Sequence, residues 1–188
     1  HLSQSTSTKR PLLGRMPATG VRNLLTYTED FSNAVWTTDN GCAKVSTAVL
    51  DTTGSTTAVE IRFSAQYGSL YQTSAVVPAG TDSIYRFYAR RDSGSNVLSI
   101  STNTGNICST FLPTSEWTEF IIPIPAMAGQ FIALIQDRNG SGWTNVQIAF
   151  PQLELGSTAT AYQKVGAAYD ITESGVASVY TAYFDGVD

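Results

Sequence analysis

Charge is scarce in this chain: only 14% of its 188 residues are Asp, Glu, Lys or Arg. The 15 acidic residues outnumber the 11 basic ones, for a net charge of −4. A nucleic-acid binder carries a basic surplus to meet the phosphates, so no nucleic-acid partner is expected. Histidine is scarcer still. The 1 histidine is His1, which leaves any serine or cysteine nucleophile without its usual base. Cys42 and Cys108 are the 2 cysteines. They lie far apart with no CxxC spacing, which argues against zinc; a disulfide between them stays open beside the favoured reading of two unpaired buried thiols. No apolar run approaches the ~20 residues of a membrane-spanning helix, so no membrane insertion is expected. A phosphate-binding loop and a dinucleotide fingerprint are also missing. The carboxylates fall mostly where turns and outward strand faces are expected. No motif pairs two of them for glycoside hydrolysis. Together these absences make a non-catalytic protein, with no cofactor, the expectation.

What the chain does have is strand-forming material. Hydrophobic residues make up 42% and aromatics 11%, too much for a disordered chain. Ser and Thr are abundant while Lys and Glu are few, a balance that favours strands over helices. Short alternating segments recur between turn signals. Within Ala58–Phe63, Val59, Ile61 and Phe63 share one face, and Glu60 and Arg62 the other. Further strands are expected over residues 23–27, 42–50, 70–77, 84–91, 97–101, 107–111, 117–124 and 131–136. The last is apolar on both parities, which predicts a central strand. Glu29–Asn33 reads as a single helical turn. Regular strand spacing without helical periodicity predicts an antiparallel sandwich.

One stretch organises the rest: QIAFPQLELGSTATAY, from Gln147 to Tyr162. Ile148 and Phe150 share one parity; Leu153 and Leu155 share the other. The flip falls at Pro151, which has no ladder donor and belongs at an edge or a bulge. A bulge adds one residue and swaps the faces, so both apolar pairs are expected to point into one core.

The phrase PQLELGSTATAY resembles the closing strand of a jelly-roll domain common in bacteriophage virion proteins. That family shows Gln-Leu-Glu-x-Gly, then small residues and Ala-Thr-x-Tyr. NLLTYTEDFSNAVW, from Asn23 to Trp36, resembles the family's opening phrase, and VVPAGTDSIYRFYARRDSG resembles its turn into a Phe-Tyr-Ala-Lys type strand. The resemblance covers residues 23–163. It implies an all-β, antiparallel jelly-roll β-sandwich like that of carbohydrate-binding modules, with extended N- and C-terminal arms. Residues 1–22 then form an arm or linker, and 164–188 a C-terminal linker. The closing YFDGVD resembles the start of a concanavalin-type lectin domain. The resemblance also implies that the turn carrying Phe31 and Trp36 plugs one end of the sandwich. It further implies a place in the virion, in a tail fibre, tailspike or head spike. The partners implied are host cell-surface polysaccharide and other virion subunits, with the chain as a homo-oligomer. A purely structural or anchoring module, and an accessory module of a polysaccharide-degrading tailspike, stay open beside the glycan-binding reading.

Sugar binding needs an exposed aromatic face with amides, carboxylates or arginines at its sides. Trp143, in a Gly/Ser-rich turn, is one candidate. Tyr88 with Arg86 and Arg90, on the outward parity of their strand, is a second. Tyr67 and Tyr71 are a third. For each, the alternative is packing on an arm or a neighbouring subunit. Trp117 reads as core. For a metal, Asp137, Asn139 and Ser141 match the first half of a calcium loop, D-x-N-x-S-G. Ile148 stands where that loop needs a bidentate Glu. The alternative is a polar hairpin turn around Asn139-Gly140. Jelly-roll sugar-binding modules often carry a structural calcium, which keeps the ion in view.

Overall fold

The computed structural model describes residues 12–16, 22–140, 144–167, 171–173 and 179–183. In chain order its strands are β1 (Leu12–Met16), β2 (Thr37–Asp39), β3 (Cys42–Val49), β4 (Ala58–Phe63), β5 (Gly68–Tyr71), β6 (Val76–Val77), β7 (Ser83–Ser93) and β8 (Leu98–Thr102). They continue with β9 (Ile107–Phe111), β10 (Thr118–Ile124), β11 (Phe131–Asp137), β12 (Thr144–Leu155), β13 (Gln163–Val165), β14 (Ile171–Glu173) and β15 (Val179–Tyr183). No helix occurs among the described residues. The alternating pattern folds into two antiparallel layers. One sheet runs β10-β7-β12-β4-β3; the other runs β2-β5-β11-β8-β9, with β6 also on β11. The all-β jelly-roll sandwich expected from the sequence is the fold observed.

Period-2 burial explains why the layers close. Val59, Ile61 and Phe63 point inward from β4, as do Tyr85, Phe87 and Ala89 from β7. Leu70, Leu98, Ile100, Phe131 and Ile135 meet them from the facing sheet. Phe87, Phe111 and Phe120 pack mutually with centroids 5.0–5.6 Å apart, distances at which aromatic rings attract beyond simple burial. Trp36 and Phe31 stack at 4.7 Å and are buried. The Trp36 indole donates to the Tyr27 carbonyl at 2.9 Å, so its one polar atom is satisfied.

Several local expectations change. Glu29–Asn33 is not a helical turn. Asp30 N donates to Tyr27 O, Asn33 N to Asp30 O and Trp36 N to Asn33 O, a run of separate turns. Residues 23–27 are not a strand, although Leu24 N donates to Leu153 O at 2.7 Å. Residues 70–77 break into β5 and β6. Trp117 lies outside the buried core; the Arg90 guanidinium sits 5.0 Å over its ring.

The bulge in β12 is present, with a different occupant. Ala149 pairs with Tyr88 and Gln152 with Arg86, so Phe150 and Pro151 together oppose Phe87. Ile148 and Leu153 are buried, and Leu155 packs on the core. Phe150 adopts φ 51°, a left-handed conformation costly for a bulky residue. It leaves the core and packs against Tyr162 at 5.0 Å and Tyr88 at 6.2 Å. The parity flip therefore starts one residue before Pro151, and the Phe150 ring lands on the outer face.

The first and last described strands meet. β1 pairs antiparallel with β15, Leu12 opposite Tyr183 and Met16 opposite Val179. β13 pairs with β14.

Candidate functional site

The outward face of the β2-β5-β11-β8-β9 sheet is hollow. In register, Asp39 of β2 lies opposite Ser69 of β5, Ser69 opposite Gln136 of β11, and Gln136 opposite Ser99 of β8. Serines between larger neighbours leave a groove of about 600 Å³. Tyr67, Tyr71, Ile132, Leu134, Gln136 and Arg138 line it with Asp39. β11 is apolar on both parities because it has two apolar duties. Phe131, Ala133 and Ile135 face the core, while Ile132 and Leu134 floor the groove.

Two buried acceptors in the groove have no partner. Gln136 is buried, and its Nε2 donates to Tyr67 O at 3.3 Å and to Ser69 Oγ at 3.2 Å. A carbonyl can only accept, so this contact fixes which way the amide points. Gln136 Oε1 is left buried without a partner, and so is Asp39 Oδ1. An unpaired buried acceptor costs ~1–3 kcal/mol; two on one groove form a site that is satisfied only when a donor arrives. Burial first, then the charge of Asp39 and a hydrogen bond to it, push the Tyr71 phenol above its ordinary value. That phenol stays a neutral donor.

The rim is built from strained and anchored backbone. Tyr67 has φ 67°, and its N–H donates to Asp137 O at 2.6 Å. Its ring is 45% exposed, so an aromatic is held out over the groove at a conformational cost. Gln66 Nε2 donates to Arg138 O at 2.8 Å. Gly140, at φ +61°, passes so close that a Cβ there would lie 2.5 Å from Gln66 Cβ. The Arg138 guanidinium then lies 5.3 Å over the Tyr67 ring. Its Nη1 donates to Gly105 O, at the tip of the β8–β9 link, at 3.2 Å.

Tyr71 and Tyr67, singled out in the sequence, are thus brought together. Tyr88, Arg86 and Arg90 sit on the opposite sheet, away from this groove. There Arg86 pairs with Glu119 at 2.5 Å and donates to Thr160 O at 2.7 Å. Arg90 donates to Gln147 Oε1 at 2.6 Å. Tyr88 packs on Phe150. Trp143 and Ser141 lie outside the described residues. Asp137 is fully buried. Its Oδ1 accepts from Asn139 N at 2.9 Å and Gly140 N at 3.3 Å, and its Oδ2 from Asn96 Nδ2 at 2.6 Å. Those bonds engage both carboxylate oxygens of the proposed calcium loop. No group of three or more His, Cys, Asp or Glu gathers as a metal site among the described residues. The turn around Asn139-Gly140 is also not a hairpin, because β11 and β12 belong to different sheets; it is a crossing between layers.

Asp39, Gln136 and Arg138 were not foreseen. The readable signal for Gln136 was the two-sided apolar pattern of its strand. Asp39 and Arg138 had none, because they enter the groove through sheet order.

No family model matches the chain, and no curated protein does. Solved structures do. The CBM22-1 xylan-binding domain of Xyn10C from Paenibacillus barcinonensis superposes with a TM-score of 0.55 at 15% identity, over 74% of this chain and 97% of that domain. The CBM22-1-CBM22-2 tandem of the same protein gives 0.54 at 14% identity, over 83% of this chain and 49% of the tandem. A family 29 carbohydrate-binding module complexed with cellulohexaose gives 0.50 at 14% identity, over 72% of this chain and 89% of the module. At such identities the likeness is one of fold: the sandwich is that of carbohydrate-binding modules.

Proposed function

We propose that this chain is a non-catalytic glycan-binding module whose groove takes a polysaccharide segment across β2, β5, β11 and β8. The observation that carries the reading is the pair of unpartnered acceptors, Asp39 Oδ1 and Gln136 Oε1, beside the exposed Tyr67 and the half-buried Tyr71. Sugar hydroxyls are donors, and a small rotation of either side chain pairs it with one. The ring faces meet the apolar side of a pyranose. The solved modules of similar fold, described as xylan-binding or held with cellulohexaose, support the same reading.

The phrases at the two ends of the sandwich support placing the module in a bacteriophage virion, as part of a fibre, spike or head decoration that meets host polysaccharide. A second reading, structural anchoring through the arms, is favoured by one feature: β1 and β15 pair with each other in a two-stranded sheet of their own.

Glycan-array binding followed by titration tests the first reading. Gln136→Ala and Tyr71→Ala are each expected to weaken the bound glycan about tenfold, as hydrogen-bond and ring contacts of ~1–1.5 kcal/mol imply. Unchanged affinity in both variants removes the groove from the function.

A further inference from the structure

We infer that the groove selects acidic glycans, with Arg138 holding a carboxylate of the sugar while Asp39 and Gln136 hold its hydroxyls. This rests on the reading of the groove as a glycan site and adds the ligand's charge and orientation. The lining is polarised. Asp39 Oδ1 and Gln136 Oε1 are acceptors without partners, which suit hydroxyl donors and repel an anion. Arg138 is the cationic side chain of the described lining. No carboxylate pairs with it among the described residues, in contrast to Arg86, which pairs with Glu119.

Arg138 is also pre-positioned. Its backbone carbonyl is held by Gln66, its guanidinium lies 5.3 Å over the Tyr67 ring, and Nη1 is engaged by Gly105 O. A guanidinium has five donors in a rigid fork. One contact to a carbonyl leaves most of that fork open. A carboxylate accepts it bidentately, the geometry in which Arg exceeds any point charge. The cation–ring contact and the bond to Gly105 hold the side chain in place, so less freedom remains to be lost on binding. A neutral sugar fills the acceptor end and leaves Arg138 on Gly105. An acidic one, such as a uronate or a sialate, satisfies both ends and fixes the chain direction in the groove.

The test is an array of alginate, polygalacturonate, hyaluronate and polysialate oligosaccharides, each beside its carboxyl-reduced neutral counterpart, with glucan, xylan and mannan oligosaccharides. The full chain and its Arg138→Gln variant are compared. The expected result is preferential binding of one or more acidic forms. Arg138→Gln then weakens acidic binding about tenfold and neutral binding by a clearly smaller factor, in line with loss of a charge-assisted pair. Salt raised from about 20 to 500 mM, which shortens the screening length, is expected to weaken only the acidic complexes. Equal or better binding of the carboxyl-reduced forms overturns the proposal while leaving the glycan site standing. So does equal weakening of acidic and neutral ligands by Arg138→Gln. Absence of binding to every glycan overturns both. Should Arg138→Gln not fold, the carboxyl-reduction comparison on the unaltered chain decides alone, and Arg138→Lys, with charge but no fork, is expected to bind acidic forms several-fold more weakly.

Discussion

Asp51 shows how a single side chain can hold a turn. Its Oδ1 accepts from Thr53 N at 2.6 Å, Thr53 Oγ1 at 2.7 Å and Ser55 N at 3.2 Å, and Oδ2 from Thr57 Oγ1. Burial acts to raise its pKa, but the hydrogen bonds from Thr57, Thr53 and Ser55 outweigh it and hold the group below the ordinary 3.8. A lowered folded value means the unfolded chain takes up the proton first. The contribution to stability is therefore complete above about pH 4 and is lost as pH falls through the folded value. Asp51→Asn is expected to cost ~1–2 kcal/mol at pH 7. In urea titrations the gap from the unaltered chain should narrow at pH 2.5; a gap independent of pH contradicts the assignment. The cysteines divide by the same physics. Burial, then the charge of Asp39, pushes the Cys42 thiol up to about 12, while Cys108 is half-buried and raised by burial alone. Thiolate is the reactive form, so a disulfide reagent at pH 8 should label Cys108 well before Cys42.

At the scale of the element, β12 depends on a residue far from it in sequence. The bulge interrupts the ladder at Phe150 and Pro151, and Asn23 repairs it. Its Nδ2 donates to Pro151 O and Gln163 O, each at 3.2 Å. Its Oδ1 accepts from Leu25 N and Leu153 N, each at 3.1 Å. One buried amide thus ties the opening segment, the bulge and the return segment together. Asn23→Ala strands several buried backbone groups at once, so ~2–4 kcal/mol of stability should be lost in a denaturant titration; a loss under about 0.5 kcal/mol would mean that other groups repair the bulge. The element shows what a sequence discloses. Alternation in Ala58–Phe63 and the parity flip between Ile148 and Leu153 state which side chains face the core, because burial has period 2. The flip does not state which residue absorbs the bulge. That choice turned on φ at Phe150, where contacts with Tyr88 and Tyr162 on the outer face offset a strained backbone. Trp117 misleads for a related reason: an aromatic beside a strand reads as core, whereas at the start of edge strand β10 it meets Arg90.

For the whole molecule, sheet order decides the site, and sheet order is the part local pattern does not carry. Asp39, Ser69, Gln136 and Ser99 come from four strands far apart in the chain and lie in one row only because β2, β5, β11 and β8 are neighbours. The same logic separates the sandwich from the ribbon at its ends. The core is drawn from residues 25–153, joined by Val165 and Ile171. β1 and β15 pair with each other in a sheet of 2 strands. Two-stranded ribbons are marginal alone, so this one adds little to a sandwich that already buries its apolar faces. A chain cut to residues 22–173 retains the groove, the Asn23 tie and the β13–β14 pair. Its thermal midpoint should fall by no more than about 4 °C, the shift of ~1 kcal/mol for a domain of this size, and its glycan titration should be unchanged. A fall beyond about 10 °C would show that the ribbon is part of the cooperative unit. Unchanged stability with lost binding would place part of the glycan contact on the arms.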